Sequence, residues 1–276
     1  MKVLAVGATG KFAGLVVPAL ARRGVEVRAL IHDPAKADTA IAGGAAETVR
    51  ADLRDPDSLR AAASGVEGVF HITPAFAPDA ETLGLNMVRA CVDAGVRKFV
   101  YSGVYHPSLS LVNHASTRPI EEALYESDLA FTVLQPAMFL QGLDDAYRGA
   151  VRTGRLTMPW SKSSKMTYVD YRDVAEVVAI AMTGDALDHG TFELAAGGML
   201  DRIELAALMS TASGRDIVAV DPDAAPRPQG LPPGLIAMFE AYDRHGFHGG
   251  NNLVLRTILG RRPTSVSDYV HELAAR

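Results

Sequence analysis

The sequence predicts an α/β protein: a doubly wound parallel sheet followed by a smaller C-terminal α/β lobe that would receive the substrate. Three observations carry the prediction. Short apolar strands alternate with helical segments for about 135 residues, a glycine-rich turn joins the first strand to the first helix, and the alternation loosens after Pro136. Parallel strands need crossover helices, and right-handed crossovers lay those helices on both faces of one open sheet.

Lys2 to Val6 is β-branched and aliphatic and stops at Gly7, as a buried strand does. Leu15, Val16, Ala19 and Leu20 then recur at helical spacing until Gly24. Val25 to Ile31 is a second strand, Pro34 opens a short helix, and Glu47 to Ala51 is a third strand ending at Asp52. Pro56 to Ala63 is helical, Gly68 to Ile72 a fourth strand, and Asp79 to Ala94 a long helix. Lys98 to Tyr101 makes a fifth strand, Pro119 to Tyr125 a helix, and Phe131 to Leu134 a sixth strand. Beyond these, Asp170 to Met182 and Arg202 to Ala212 read as helices around a short strand at Thr191 to Leu194. Five prolines in residues 221–234 (222, 226, 228, 232 and 233) predict an extended crossing segment. The expected division is a dinucleotide-binding domain over 1–135, which residues 165–195 could join, and a substrate lobe over 136–276.

Composition narrows the partners. Net charge is −2 over residues 1–135 (13 basic, 15 acidic) and −3 over 136–276 (14 basic, 17 acidic). No basic half exists to grip nucleic acid or an anionic membrane, so a small-molecule partner is expected, for a monomer or homodimer. Cys91 is the single cysteine, which excludes an intramolecular disulfide and agrees with a reducing, cytoplasmic setting. It lies on an apolar helix face and reads as core. Lys11 and glycines 7, 10 and 14 interrupt the apolar N-terminal stretch, which reads as strand, turn and helix rather than a signal peptide.

In Gly7-Ala8-Thr9-Gly10-Lys11-Phe12-Ala13-Gly14, Gly7 suits a tight turn and Gly10 leaves room for a pyrophosphate near the backbone. The helix N-terminus behind them offers N–H groups and a positive dipole end. At the end of the second strand His32, Asp33 and Lys36 decide the nucleotide. His32 and Lys36 would meet a 2′-phosphate, which favours NADP, whereas Asp33 would serve the free ribose of NAD. Asp52, with Leu53 after it, is placed for the adenine edge or for capping a turn. Ile72, Thr73 and Pro74 would border the middle of the cofactor.

These residues, with Lys98-Phe99-Val100-Tyr101-Ser102, Leu134-Gln135-Pro136-Ala137-Met138-Phe139 and Tyr168-Val169-Asp170 with Asp173-Val174-Ala175, resemble the NmrA-like branch of the atypical short-chain dehydrogenases over nearly the whole chain. The resemblance implies a Rossmann fold, NADP or NAD as cofactor, and cofactor contacts that extend to Pro136 and Phe139. It implies either a reductase acting on quinones, dyes or phenolics, or a redox sensor without turnover. His32 replaces the family's 2′-phosphate arginine, and Gln135 replaces the arginine of its Leu-Arg-Pro.

Short-chain dehydrogenases typically use a serine after the fifth strand and a Tyr-x-x-x-Lys pair on the next helix. Ser102 occupies the serine position, and His114 with Arg118 stand four apart where the pair is expected. If that turn is helical, both could face the cleft. His114 is then a candidate acid and Arg118 a candidate ribose or oxyanion contact; the alternatives are a helix cap and a surface cation. Tyr105, on the loop, is a rival donor, while Tyr101 should face the core. Asp243, His245 and His248 lack a matching ligand set, so no metal is expected. Phe247 and Trp160 would meet the substrate or simply pack the lobe. Glu121 and Glu122 read as helix-start acids. The favoured function is an NAD(P)H-dependent reductase of a quinone or similar conjugated, apolar or aromatic acceptor; the alternative is a non-catalytic NAD(P)-binding sensor.

Overall fold

The computed structural model describes residues 1–221 and 230–276. Strands are β1 (Lys2–Val6), β2 (Glu26–Ile31), β3 (Glu47–Arg50), β4 (Gly68–Ile72), β5 (Lys98–Ser102), β6 (Ala130–Pro136), β7 (Met138–Phe139), β8 (Arg155–Thr157), β9 (Tyr168–Val169), β10 (Gly190–Leu194) and β11 (Val218–Val220). Helices are α1 (Val16–Arg22), α2 (Ala37–Ala42), α3 (Pro56–Ala63), α4 (Ala80–Asp93), α5 (Val112–Ala115), α6 (Arg118–Tyr125), α7 (Leu143–Thr153), α8 (Tyr171–Thr183), α9 (Arg202–Ser213), α10 (Pro233–His245), α11 (Leu253–Leu259) and α12 (Val266–Ala274).

Seven strands form one sheet in the order β10-β6-β5-β4-β1-β2-β3. The pairs β1–β2, β2–β3, β1–β4, β4–β5 and β5–β6 are parallel. A strand covered on both faces should be apolar at successive positions, and β1, β4 and β5 are buried almost throughout. The strand order reverses between β1 and β4, so the carboxyl ends of these two strands flank the crevice of a doubly wound sheet. Helices α3, α4 and α6 pack together on the sheet, with Leu59, Met87, Ile120 and Leu124 in their core, and α1 packs on α8. Cys91 is in that core, where burial pushes its thiol pKa up.

The chain divides into two units. The first holds Met1–Pro136 with Tyr171–Glu193, and the second Ala137–Asp170 with Leu194–Arg276. Within the segment 165–195 that could join the first domain, α8 and nearly all of β10 belong to the first unit, where α8 packs on α1 and β10 neighbours β6. In the second unit β8 pairs with β11 and β7 with β9, both parallel. Buried Arg202 donates to the carbonyls of Trp160 and Val220, and Tyr269 donates to Asp144 Oδ1 at 2.6 Å. The proline-rich stretch falls largely on 222–229, outside the described residues. Pro232 and Pro233 start α10 instead of extending the chain, since proline at a first turn loses no helical hydrogen bond.

One buried cation closes the first unit. Lys98, fully buried at the start of β5, donates to the carbonyls of Ala181 (3.1 Å) and Gly184 (2.6 Å) and to Asp185 (3.2 Å) and Asp188 (2.6 Å). It ties the C-terminal end of α8 to the sheet. Lys98→Met keeps the stem but leaves Asp188 and two carbonyls without their donor, so urea unfolding should show a loss of about 2–4 kcal/mol with an unchanged m-value. A loss within measurement error would show that the lysine is not the clasp.

Candidate functional site

Gly7 ends β1 at φ +75°, and a β-carbon there would lie 3.1 Å from Ala13 Cβ and 3.3 Å from Ile72 Cγ2. Glycine is required on both counts, by the backbone angle and by the close packing. Gly10 N–H donates to Gly7 O at 2.8 Å and Gly14 N–H to Gly10 O at 3.0 Å, which curls the turn tightly. A β-carbon on Gly10 would sit 3.1 Å from Gly7 O, and one on Gly14 3.2 Å from Ala8 O. The turn enters a 3₁₀ stretch, Ala13–Leu15, with Phe12 at its N-cap and no side-chain cap. A glycine cradle leading into a helix entry that no side chain caps fits the pyrophosphate of a dinucleotide. Ala8 is buried, Thr9 half-buried, and Gly10 and Lys11 exposed at the rim.

The neighbouring strand ends complete the crevice. Ile72 is the register partner of Ser102, and Thr73 Oγ1 lies 3.3 Å from Tyr101 Oη. Pro74 begins the loop that follows. On the β2 side Asp33 caps its own short 3₁₀ turn, Pro34–Lys36, by accepting from Ala35 N–H at 3.0 Å. Asp52 accepts from Arg54 N–H at 2.9 Å, with His32 Nδ1 3.8 Å away, and Leu53 O accepts from Asn86 Nδ2 at 3.0 Å. His32 and Lys36 are exposed. Pro136 O accepts from Tyr105 N–H at 3.0 Å, whereas Phe139 belongs to the second unit, in β7.

The expected acid–base group has a different character. Ser102 is buried and accepts from Tyr171 Oη at 3.0 Å. His114 is fully buried at the end of α5, and its Nδ1 meets the His106 carbonyl at 3.0 Å. A carbonyl only accepts, so the imidazole proton is on Nδ1, and burial lowers the pKa of the ring. Arg118 is exposed at the first position of α6. Tyr105 is buried, with its ring 4.0 Å from that of His106, and desolvation raises its pKa so that it holds its proton. His106 itself takes φ +55°, unusual for a residue with a β-carbon, and is held there by His114 and by Glu193 Oε1, 2.8 Å from its Nδ1.

Sequence reasoning missed several polar groups in the same region. Glu121 is buried, not a solvated helix-start acid; both its oxygens accept from Gln135 Nε2 (3.1 and 3.0 Å), and Tyr125 donates at 3.2 Å. Burial raises its pKa. His71 is fully buried, stacks on Tyr101 at 5.9 Å, and places Nε2 3.2 Å from Thr73 Oγ1. Only the departure at Gln135 hinted at any of this, because an altered partner leaves a signal on one side of a contact. In the second unit Trp160 and Phe247 are buried against Tyr242, so both are packing residues there.

Comparison with known proteins places this architecture. Residues 1–268 match the NmrA-like family. The chain belongs to the NmrA-like family. It is 32% identical to NAD(P)H azoreductase of Xenophilus azovorans over 87% of this chain and 86% of that protein. It is 25% identical to quinone oxidoreductase 2 of Escherichia coli K12, over 97% and 96% of the two chains. The triphenylmethane reductase of Citrobacter sp., solved in complex with NADP(H), superposes with a TM-score of 0.86 at 21% identity, over 99% of this chain and 100% of that one.

His71 makes the site acid-sensitive. Burial lowers its pKa to about 3, so the native state resists a proton that the unfolded chain accepts near pH 6.5. Stability should therefore be complete above that value and fall by about 1.4 kcal/mol per pH unit as the pH drops toward the folded pKa. His71→Phe keeps the ring stack and removes the titration, so the pH dependence of urea midpoints should flatten between about pH 6.5 and 4. An unchanged slope would assign the acid sensitivity elsewhere.

Proposed function

We propose that this NmrA-like protein is an NAD(P)H-dependent reductase that uses NADPH in preference to NADH and reduces quinones or related conjugated, aromatic acceptors. The carrying observation is the glycine cradle at the β1 turn in a chain 32% identical, nearly end to end, to an NAD(P)H azoreductase. The quinone oxidoreductase and triphenylmethane reductase relatives point to the same acceptor class.

The preference for NADPH follows from what the acids near the β2 end do. Asp33 accepts from Ala35 N–H and Asp52 from Arg54 N–H, so each carboxylate already has a local backbone donor. His32 and Lys36 stand exposed beside them, suited to a 2′-phosphate. Gly7, Gly10 and the uncapped helix entry at Phe12 would hold the pyrophosphate, Ile72, Thr73 and Pro74 would border the middle of the cofactor, and Ser102 would border the nicotinamide end.

When bound, a dihydronicotinamide would supply a hydride, and an acceptor such as a quinone would take the one proton it also needs from water. The residues here do not require a dedicated acid. His114 carries its ring proton toward a backbone carbonyl, and burial holds the phenolic proton on Tyr105. Such a set orients and excludes water, which suffices for acceptors that are easily reduced. His114 serves by holding the loop that carries Tyr105. The same proton inventory favours the second reading, a nucleotide-binding sensor without turnover.

Calorimetry with NADPH and NADH, alongside loss of dihydronicotinamide absorbance with quinones, azo dyes and triphenylmethane dyes, separates the readings. NADPH should bind at least tenfold more tightly than NADH, and at least one acceptor should be reduced. Tight binding with no turnover across the panel would leave the sensor, and no binding of either nucleotide would overturn both. For an acceptor that turns over, kcat should be flat across the range in which an exposed imidazole titrates, about pH 6–8. His114→Ala should cost about 1–3 kcal/mol of stability by leaving the His106 carbonyl without its donor. A kcat that follows a single protonation near pH 6.5 and loses that step in His114→Ala would restore His114 as the acid.

A further inference from the structure

Tyr171 touches two parts of the candidate cofactor site that are far apart in sequence. It is the first residue of α8 and fully buried. Its hydroxyl donates to Ser102 Oγ, at the end of β5, at 3.0 Å. Its ring centroid lies 5.9 Å from that of Phe12, tilted by 50°, at the exit of the glycine turn. We propose that Tyr171 is a positioning residue of the cofactor site, whose hydroxyl sets the Ser102 rotor and whose ring backs Phe12. The inference rests on the reductase reading for its kinetic consequence and on nucleotide binding alone for the rest.

Helix packing does not explain the choice of side chain. A buried position needs only bulk, which phenylalanine or leucine would supply without a buried hydroxyl to satisfy. The phenol brings one proton, and burial raises its pKa so that it stays a donor. Ser102 Oγ accepts it, so the serine's own O–H must turn away from Tyr171. Ser102 ends its strand beside Ile72, which lies under the Gly7 turn, so the direction left to that O–H is set by the carboxyl ends of β4 and β5. Without the phenol, Ser102 would be free to rotate and could offer a lone pair where a donor is needed. Phe12, for its part, caps the helix entry with no hydrogen bond from its side chain, and ring packing against Tyr171 holds it in place.

The test uses the full chain and three variants. Tyr171→Phe removes only the hydroxyl: the NADPH Kd from calorimetry should stay within about twofold, while kcat falls about tenfold at little change in acceptor KM, the scale of one misdirected hydrogen bond. Ser102→Ala should show the same fall, and the double variant no further one, because both remove the same oriented donor. Tyr171→Leu also removes the ring and should raise the NADPH Kd about tenfold and diminish the change in nicotinamide fluorescence on binding. A Tyr171→Phe variant with wild-type kcat, or losses that multiply in the double variant, would overturn the proposal. So would a Tyr171→Leu variant that binds NADPH normally. If wild-type protein binds NADPH but reduces no acceptor, the reductase reading fails and the Tyr171→Leu binding measurement alone decides this one. Should the Tyr171 variants not fold, Phe12→Leu and Ser102→Ala each cut one side of the contact, and they must weaken binding and lower kcat respectively.

Discussion

Everything at the site depends on one steric constraint, the absence of a β-carbon at Gly7. Its φ of +75° turns the chain out of β1, and the missing side chain lets Ala13 and Ile72 approach to little more than 3 Å from where that carbon would be. The helix that follows is thereby held close against the sheet, and β1 and β4 can end side by side without a bulky residue between them. This is the crevice where the strand order reverses. A larger residue at position 7 would have to move the helix, the strand or both, and the crevice would lose its shape before any ligand contact changed.

A second constraint arises from charge. The carboxyl ends of β4, β5 and β6 are lined by buried polar side chains whose groups are neutral or weakly acidic. His71 is held neutral by burial, and Tyr101, Tyr105 and Tyr171 keep their protons for the same reason. Glu121 is the exception in kind. Its partners are the neutral amide of Gln135 and the phenol of Tyr125, where the NmrA-like pattern would offer an arginine. Burial raises its pKa, so its contribution to stability is present at acid pH and declines as the pH rises through the folded value, opposite in sign to His71. Gly103, the residue after Ser102, also belongs to this arrangement, since a β-carbon there would lie 3.2 Å from Glu121 Oε1.

The sheet was legible in the sequence because both its signals are local: apolar runs of strand length and glycines at strand ends. β1 and β4 fall at the predicted positions, while β2 starts at Glu26 instead of Val25 and β6 runs on to Pro136. The glycine turn was equally legible, its meaning set by position 7 between a strand and a helix. What escaped was pairing across the chain. Tyr171 meets Ser102 from 69 residues away, and Lys98 meets Asp188 from 90. No periodicity reports such a meeting. The spacing of His114 and Arg118 suggested one helical turn, but Ser116 and Thr117 break it, so His114 ends in α5, fully buried, and Arg118 opens α6, exposed. Glu121 is the helix-start acid the sequence suggests, but a first-turn acid looks the same in sequence whether it faces water or Gln135.

Depth also explains how a reductase could work with so few titrating groups. A side chain can relay a proton only if both protonation states are accessible near the working pH. Burial lowers the pKa of His71 and His114 and raises those of Tyr101 and Tyr171, in each case favouring the uncharged form. The polar groups around Ser102 are consequently fixed donors and acceptors, suited to holding a cofactor and an acceptor in register. For an acceptor whose reduction is driven by its own electron deficiency, fixed dipoles and excluded water are what the transition state asks of the protein. For an unactivated carbonyl the developing alkoxide would also need a proton, so on the proposed reading this set of groups would favour acceptors that require little proton transfer.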